Sequence, residues 1–310
     1  YPTSGRVIVW LNGEQIGDYI HTDVPTMAAK SPTAGALSIG WSTFTYAYAL
    51  DNVSFRSLAE ETLIDEHVDF TGAQIGALSL SEYLRSALSS STTVGFSSSA
   101  DSDTVRDSYF SVVKEADGNR VLKQYISSNG KIAGIRLGNS TLFSDSYEAS
   151  LRIKYVSFGT NPLNAIRIGS NETTGLFAPL VLRKYSEKLY ATTYVNGCAL
   201  LQKTENGYEA IVVQAGAWYD FKVTVAPSAG TYQLFMKTEK STDWETLYFM
   251  KDAPTTLAWN AGTCTEAQVT DTAKVSWFGA SWSNANYMWF MHGTNNAWNA
   301  TTEFYADDIC

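Results

Sequence analysis

The feature that most constrains the fold is a period-two alternation of apolar and polar residues, which returns about every ten to fifteen residues along the chain. Such alternation indicates β-strands with one buried face, because successive side chains of a strand point to opposite sides. Gly, Asn, Asp and Pro, the residues that hairpins require, separate the runs at 117–119, 129–130, 206–207 and 227–230. The pattern predicts mostly antiparallel strands at 7–11, 37–41, 47–55, 62–70, 108–114, 121–126, 147–156, 165–169, 181–185, 189–195, 218–225, 232–238, 275–281 and 303–309.

Only residues 78–89 carry a helical pattern, with leucines at 78, 80, 84 and 88. We expect one short helix there. So many short antiparallel strands predict an all-β fold, in which two sheets pack as a β-sandwich.

Composition excludes several classes of protein. The chain has 310 residues with 45% apolar and 17% charged content, which is enough to bury one or two cores. It holds no apolar run of about 18 residues, so we expect no membrane insertion. The formal net charge of −9 opposes binding to phosphate backbones, and we expect no nucleic-acid partner.

The two ends of the chain repeat one plan. Residues 36–55 are matched by 274–282 followed by 301–310, and each copy is preceded by a similar strand, at 5–14 and at 230–239. We therefore predict that residues 1–57 are the C-terminal part of a truncated module and that 58–310 form a complete module. The first part holds too few strands to cover its own sheet edges, so we expect other modules of the same polypeptide, or neighbouring chains, to complete it.

The order of six short sequence segments in the second part resembles that of the concanavalin A-like, laminin-G-like jelly rolls. The segments are VDFTG (68–72), YFSVVK (109–114), DGNRVL (117–122), YEASLRIK (147–154), WYDFKVTV (218–225) and FYADDI (304–309). The resemblance covers nearly all of 63–310, whereas 5–55 match only its last third. It implies a jelly-roll sandwich from a secreted, modular bacterial protein that binds carbohydrate.

Comparing the two copies exposes a candidate binding segment. Between Trp282 and Asp307 the second copy carries about fifteen extra residues, and 283–299 read SNANYMWFMHGTNNAWN. Aromatic rings stack on sugar faces while amides and hydroxyls bond to sugar hydroxyls, so we predict a glycan-binding loop. Its contact residues would be Tyr287, Trp289, His292, Asn295, Asn296 and Trp298. The alternative is that 289–291 fold back as a lid over one end of the sandwich.

Jelly rolls of the resembling kind often hold a structural calcium ion between the first strand and an Asp pair in the last strand. Here Glu66 or Asp69 with Asp307 or Asp308 would supply the carboxylate oxygens that Ca²⁺ prefers. The three cysteines, Cys198, Cys264 and Cys310, lack the spacing of a zinc site and allow one disulfide at most, whose pairing the sequence leaves open.

The sequence offers few candidate catalytic residues. Sandwich glycosidases of this architecture resemble one another in a tight run of acidic residues at period two, which this chain lacks. Three functions remain open. The first is a non-catalytic carbohydrate-binding or adhesive module of an extracellular, secreted or cell-surface protein, with a polysaccharide or glycoprotein glycan as its partner. The second is a structural repeat of a surface filament. The third is a polysaccharide lyase or glycoside hydrolase.

Overall fold

A computed structural model of the protein describes residues 6–11, 14–20, 66–77, 79–88, 92–96, 109–126, 134–139, 146–159, 163–169, 177–193, 199–251, 264–274, 287–293 and 302–310. The chain divides into two compact units, Tyr1–Ile64 and Asp65–Cys310. In the first unit the described residues form one antiparallel hairpin, β1 (Arg6–Leu11) and β2 (Glu14–Ile20). The predicted strands at 37–41 and 47–55 lie outside the described residues, and the origin of this unit as part of a similar module stays a prediction.

The described part of the second unit is almost entirely β-structure. Its helix α1 spans Leu80–Ala87, and two short 3₁₀ turns span Pro227–Ala229 and Glu266–Gln268. Its strands are β3 (Gly76–Ala77), β4 (Thr92–Phe96), β5 (Phe110–Lys114), β6 (Arg120–Ile126), β7 (Ile135–Asn139), β8 (Tyr147–Ser157), β9 (Leu163–Gly169), β10 (Phe177–Tyr185), β11 (Lys188–Thr192), β12 (Leu201–Thr204), β13 (Gly207–Ala210), β14 (Val212–Val213), β15 (Trp218–Ala226), β16 (Thr231–Thr238), β17 (Glu245–Thr246), β18 (Phe249–Met250), β19 (Val269–Thr270), β20 (Ala273–Lys274), β21 (Tyr287–Gly293) and β22 (Thr302–Asp307).

Most of these strands build two large antiparallel sheets, while β12 with β13 and β18 with β19 form two separate two-stranded sheets. Within the described ranges the larger sheet has the order β17-β16-β15-β8-β22-β6-β5-β3, with β20 also pairing with β16. The smaller sheet has the order β14-β11-β10-β9-β21-β7-β4. The chain crosses repeatedly between them, and its last two strands enter the middle of each sheet, β21 between β9 and β7 and β22 between β8 and β6. The protein is therefore an all-β antiparallel sandwich with the strand order of a jelly roll, as predicted.

Alternation explains how the two sheets share one core. In β15, Tyr219, Phe221 and Val223 are buried in the main core, while the residues between them face away from the smaller sheet. Phe177 of the smaller sheet meets Tyr232 of the larger sheet with ring centroids 5.5 Å apart. The packing of these inner faces holds the sheets together, and most polar residues remain on the outer faces.

Two hairpin turns contain glycines with positive φ. The turn at 117–119 joins β5 to β6 with Gly118 at φ +98°, and Gly230 at φ +64° ends the turn between β15 and β16. Both values lie in the region that glycine adopts with little cost. The predicted turn at 129–130 and the predicted strand at 275–281 lie outside the described residues.

Two local predictions meet different outcomes. The helix predicted at 78–89 is confirmed as α1, and Leu80 and Leu84 are fully buried in the core. The strand predicted at 62–70 is wrong for 66–70, where Val68 makes a single bridge to Ile309 and no longer ladder forms. In the part of the chain that the structure describes, no helix has the length and apolar character needed to cross a membrane.

Candidate functional site

The predicted glycan-binding loop contains a strand instead. Tyr287–Gly293 form β21 in the middle of the smaller sheet, so the prediction of an exposed loop is wrong for these residues. Trp289 is only 1% exposed and lies between Arg136 of β7 and Arg167 of β9, its two partners in register. The physical reason is that YMWFM is apolar at every position, which is typical of a central strand covered on both faces.

The other predicted contact residues have different placements. Tyr287 is partly buried, with its ring centroid 5.8 Å from that of Trp289 and 4.9 Å from the Arg136 guanidinium carbon. His292 pairs through its backbone position with Asn164. Asn295, Asn296 and Trp298 lie outside the described residues. Sugar binding by this set stays a prediction, but a ring as enclosed as Trp289 offers no open face to a ligand.

The proposed calcium ligands each have another partner. Asp69 accepts hydrogen bonds from the backbone and side chain of Thr71, and these bonds lower the pKa of its carboxyl. Asp308 lies 3.2 Å from His67, and Asp307 accepts from Asn119 at 3.0 Å.

Glu66 accepts a hydrogen bond from the Thr92 hydroxyl. Among the described residues no three His, Cys, Asp or Glu side chains come together as a metal site. The four carboxylates therefore fit a shared calcium ion poorly, and calcium binding stays a prediction.

A different cluster lies on the outer face of the larger sheet, the face turned away from the smaller sheet. Trp218 of β15, Lys154 of β8, Tyr305 of β22 and Lys123 of β6 are successive partners in register across four neighbouring strands. We call these four residues the central row. At the usual strand spacing the row extends for about 14 Å. Aromatic and cationic side chains alternate along it.

Trp218 and Lys154 of the central row share one carboxylate partner. The indole N–H of Trp218 donates to Glu115 Oε2 at 2.9 Å, and the other oxygen of Glu115 forms an ion pair with Lys154. The Lys154 ammonium lies 4.7 Å from the centroid of Trp218 and 4.8 Å from that of Tyr305. Burial lowers the pKa of Lys154. Glu115, in the β5–β6 turn, thus fixes two side chains from other strands.

A second layer of charge lies beside the central row. The guanidinium of Arg152 lies 5.2 Å from the Trp218 ring centroid, and its Nε is 3.7 Å from Asp220 Oδ1. Burial raises the pKa of Asp220, and Arg152 and Lys237 oppose this shift. Asp220 is therefore a carboxylate that folding makes harder to ionise.

This raised pKa gives a stability prediction for Asp220→Asn. In the folded state Asp220 keeps its proton to a higher pH than its ordinary pKa of 3.8, so the folded state binds more protons than the unfolded state in that window. The free energy of unfolding of the wild type therefore falls as pH rises through the window, and asparagine does not ionise. We expect the melting temperature of the variant to rise relative to that of the wild type as the pH is raised from below the ordinary carboxyl pKa of 3.8 to neutral pH.

The control is Asp243→Asn, which changes an exposed aspartate in the connection between β16 and β17. Its melting temperature should follow that of the wild type much more closely across the same pH range. A pH-independent difference between Asp220→Asn and the wild type would contradict the prediction.

Exposed apolar side chains are concentrated on the larger sheet. Five large hydrophobic side chains are exposed among the described residues, and Tyr125, Val156 and Trp244 are the three that belong to this sheet or its hairpins. The Trp244 ring has the ammonium groups of Lys222 and Lys237 at 5.1 and 5.2 Å from its centroid. It is nevertheless 37% exposed. Trp244 is thus supported by two lysines of the outer face and remains accessible to solvent.

Sequence reasoning did not identify this face. The signal was present in WYDFKVTV and YEASLRIK, whose even-numbered positions are Trp218, Asp220, Lys222 and Thr224 in the first, and Glu148, Ser150, Arg152 and Lys154 in the second. These residues share one face of neighbouring strands, as their register shows. Their proximity follows from the pairing of β15 with β8, which cannot be read from the sequence alone.

Comparisons with solved structures give distant structural likenesses. No family model matches the sequence, and no curated protein matches it. The catalytic domain of a glycoside hydrolase family 131 protein from Coprinopsis cinerea aligns with 78% of this chain and 90% of its own, at 13% identity and a TM-score of 0.38.

Two further solved structures give similar values. A cellulose-induced protein aligns with 65% of this chain and 84% of its own, at 15% identity and a TM-score of 0.35. A seed lectin of Lotus tetragonolobus aligns with 71% and 92%, at 7% identity and a TM-score of 0.36. A TM-score below 0.5 does not establish a common fold, so the fold assignment rests on the strand order itself.

Proposed function

We propose that the second unit binds a carbohydrate chain on the outer face of its larger sheet. The observation that carries the proposal is the pair of exposed rings, Trp244 at 37% and Tyr125 at 43% exposure, on either side of the central row. Exposed apolar patches on folded domains mark interaction sites, and these two rings share one sheet face. Flat rings stack on the apolar faces of sugars, and the polar side chains between them supply donors and acceptors for hydroxyl groups.

The distance between the rings favours a chain over a single sugar. Tyr125 lies on β6, whereas Trp244 lies over Lys222 of β15 and Lys237 of β16. Three to four strand spacings, about 14 to 19 Å, separate these positions across the sheet. The register also displaces them along the strands, since Tyr125 is level with Ser157 of β8 and Lys222 with Ser150. One ligand that touches both rings must therefore extend across the strands, as an oligosaccharide or polysaccharide does.

The proposal is binding without turnover. A lyase needs a base that accepts a proton near neutral pH, but burial and the neighbouring Glu303 raise the pKa of Tyr305. The carboxylate of Glu115, in the middle of the face, is already bound to Lys154 and Trp218.

One observation favours a second candidate function. Asp220 has a raised pKa, which is what a general acid of a glycoside hydrolase requires, although such an enzyme also needs a second carboxylate at a defined distance. Release of reducing ends or unsaturated products from bound polysaccharide, lost in Asp220→Asn, would support the enzyme instead. An extracellular location and a role as a module of a larger protein stay predictions.

Two matched tyrosine variants test the proposed face. Tyr125 is 43% exposed on the larger sheet and Tyr185 is 42% exposed on the smaller sheet. For a polysaccharide that retains the wild type, we expect Tyr125→Ala to weaken that retention about tenfold, which corresponds to about 1.4 kcal/mol. Affinity electrophoresis through gels that contain each polysaccharide measures this retention.

Tyr185→Ala is the control, because it removes the same exposed side chain from the other sheet. Its retention should equal that of the wild type. Equal losses in the two variants, or no loss in Tyr125→Ala, would remove the outer face of the larger sheet as the binding site.

A further inference from the structure

The charges on the outer face of the larger sheet occur mostly as neutralised pairs. The Lys123 ammonium lies 2.9 Å from Glu303, and Lys154 is paired with Glu115. These two ion pairs lie on or beside the central row.

The remaining ion pairs of this face involve residues of β8 and β15. The Lys222 ammonium lies 3.5 Å from Glu148, whose carboxylate also accepts from the Thr224 hydroxyl at 2.9 Å. Arg152 contacts two carboxylates, Asp220 at 3.7 Å and Asp308 at 3.9 Å.

Lys237 is the remaining cation of this group. Among the described residues it has no carboxylate oxygen within ion-pair distance, and it lies over Trp244. It is still close enough to Asp220 to oppose the rise in the pKa of that carboxyl. The cations of the face are Lys123, Arg152, Lys154, Lys222 and Lys237, and the carboxylates facing them are Glu115, Glu148, Asp220, Glu303 and Asp308.

The charge of Glu239 also acts on Lys154 and Asp220. The face therefore has no excess of positive charge, in a chain whose net charge is −9. A polyanion gains affinity by meeting clustered cations and releasing counterions, and here each approach to a lysine also approaches a carboxylate. An uncharged chain meets the same donors and acceptors without that repulsion. Because the pairs hold the side chains in place, their hydrogen-bonding groups are already positioned for hydroxyls.

We infer that the ligand of this face is an uncharged polysaccharide and that the ion pairs exclude carboxylated and sulfated chains. The inference rests on the proposed function and adds the chemical class of the ligand to it. The carboxylates act as the selective element, since each one both anchors a cation and repels an anionic chain.

Affinity electrophoresis against two groups of polysaccharides tests the inference. One group is uncharged, namely xyloglucan, mixed-linkage glucan, galactomannan and xylan, and the other is anionic, namely polygalacturonate, alginate and dextran sulfate. We expect retention by at least one uncharged polymer to change less than about twofold between about 50 and about 500 mM NaCl, since screening acts on charged ligands. We expect little retention by the anionic group.

A pair of charge variants makes the test specific to the face. Glu303→Gln frees Lys123, whereas Glu187→Gln removes a carboxylate that is paired with Lys184 at 2.9 Å on the hairpin of β10 and β11. Both substitutions change the net charge equally. We expect Glu303→Gln to increase retention by the anionic polymers severalfold over Glu187→Gln, with the increase lost at high salt.

The outcomes separate the two proposals. Strong wild-type retention by anionic polymers that falls about 100-fold or more with salt would overturn the inference and keep the proposed function. Equal retention of Glu303→Gln and Glu187→Gln by the anionic polymers would also overturn it. Retention by neither group, in the wild type and in Tyr125→Ala alike, would overturn the proposed function and this inference with it.

Discussion

Trp289→Ala is expected to lower the free energy of unfolding by about 3 to 5 kcal/mol, the usual cost of removing a large buried aromatic side chain. Trp289 is 1% exposed in β21, a strand with neighbours on both sides. Its partners in register are Arg136 and Arg167, and the guanidinium carbon of Arg167 lies 5.5 Å from the centroid of the ring that the substitution removes. Urea unfolding followed by far-UV circular dichroism measures the change.

The matched control for this prediction is Trp244→Ala. It deletes the same side chain from a site that is 37% exposed, so we expect it to cost less than about 1 kcal/mol. Equal stability of the two variants would contradict the central placement of β21. Loss of glycan retention in Trp289→Ala with unchanged unfolding would support the exposed loop that the sequence suggested.

Trp244→Ala is expected to lower the affinity for the bound polysaccharide by about 30-fold, or about 2 kcal/mol, as exposed aromatic anchors of binding sites do. The ring is held by the ammonium groups of Lys222 and Lys237 on the outer face. It therefore loses little freedom when a sugar stacks on it. Isothermal titration calorimetry with an oligosaccharide of the retained polymer measures the change.

Trp244→Phe is the conservative variant for this test. A phenyl ring keeps part of the stacking surface and the contact with the two lysines, so we expect it to restore most of the lost affinity. A loss in Trp244→Ala that accompanies a large fall in melting temperature would point to a structural role. Unchanged affinity in Trp244→Ala would show that this ring does not contact the ligand.

Much of the fold could be predicted because alternation is a local property. In β15 and β16 every second residue is apolar, and these strands lie within one residue of their predicted bounds. The helix α1 was predicted because Leu80, Leu84 and Leu88 fall on one face at helical spacing. In each case the residues that decide the structure are neighbours in the sequence.

The prediction for β21 was wrong because its pattern is ambiguous. The residues YMWFM are apolar on both faces of the strand, and such a run does not alternate. The copy at the N-terminal end lacks these residues, and an insertion between strands is usually a loop. Only the pairing of β21 with β7 and β9 shows that the run fills the middle of a sheet.

Period-two alternation and turn residues act within a few positions of each other, so they predict that this chain forms antiparallel strands, where most of the strands lie and which residues each one buries. The row of Trp218, Lys154, Tyr305 and Lys123 becomes visible only in the folded sheet. Tyr305 and Lys154 are 151 positions apart in the chain but only one strand spacing apart in the sheet. Register between distant strands depends on the packing of the whole core, and no short segment of the sequence contains that information.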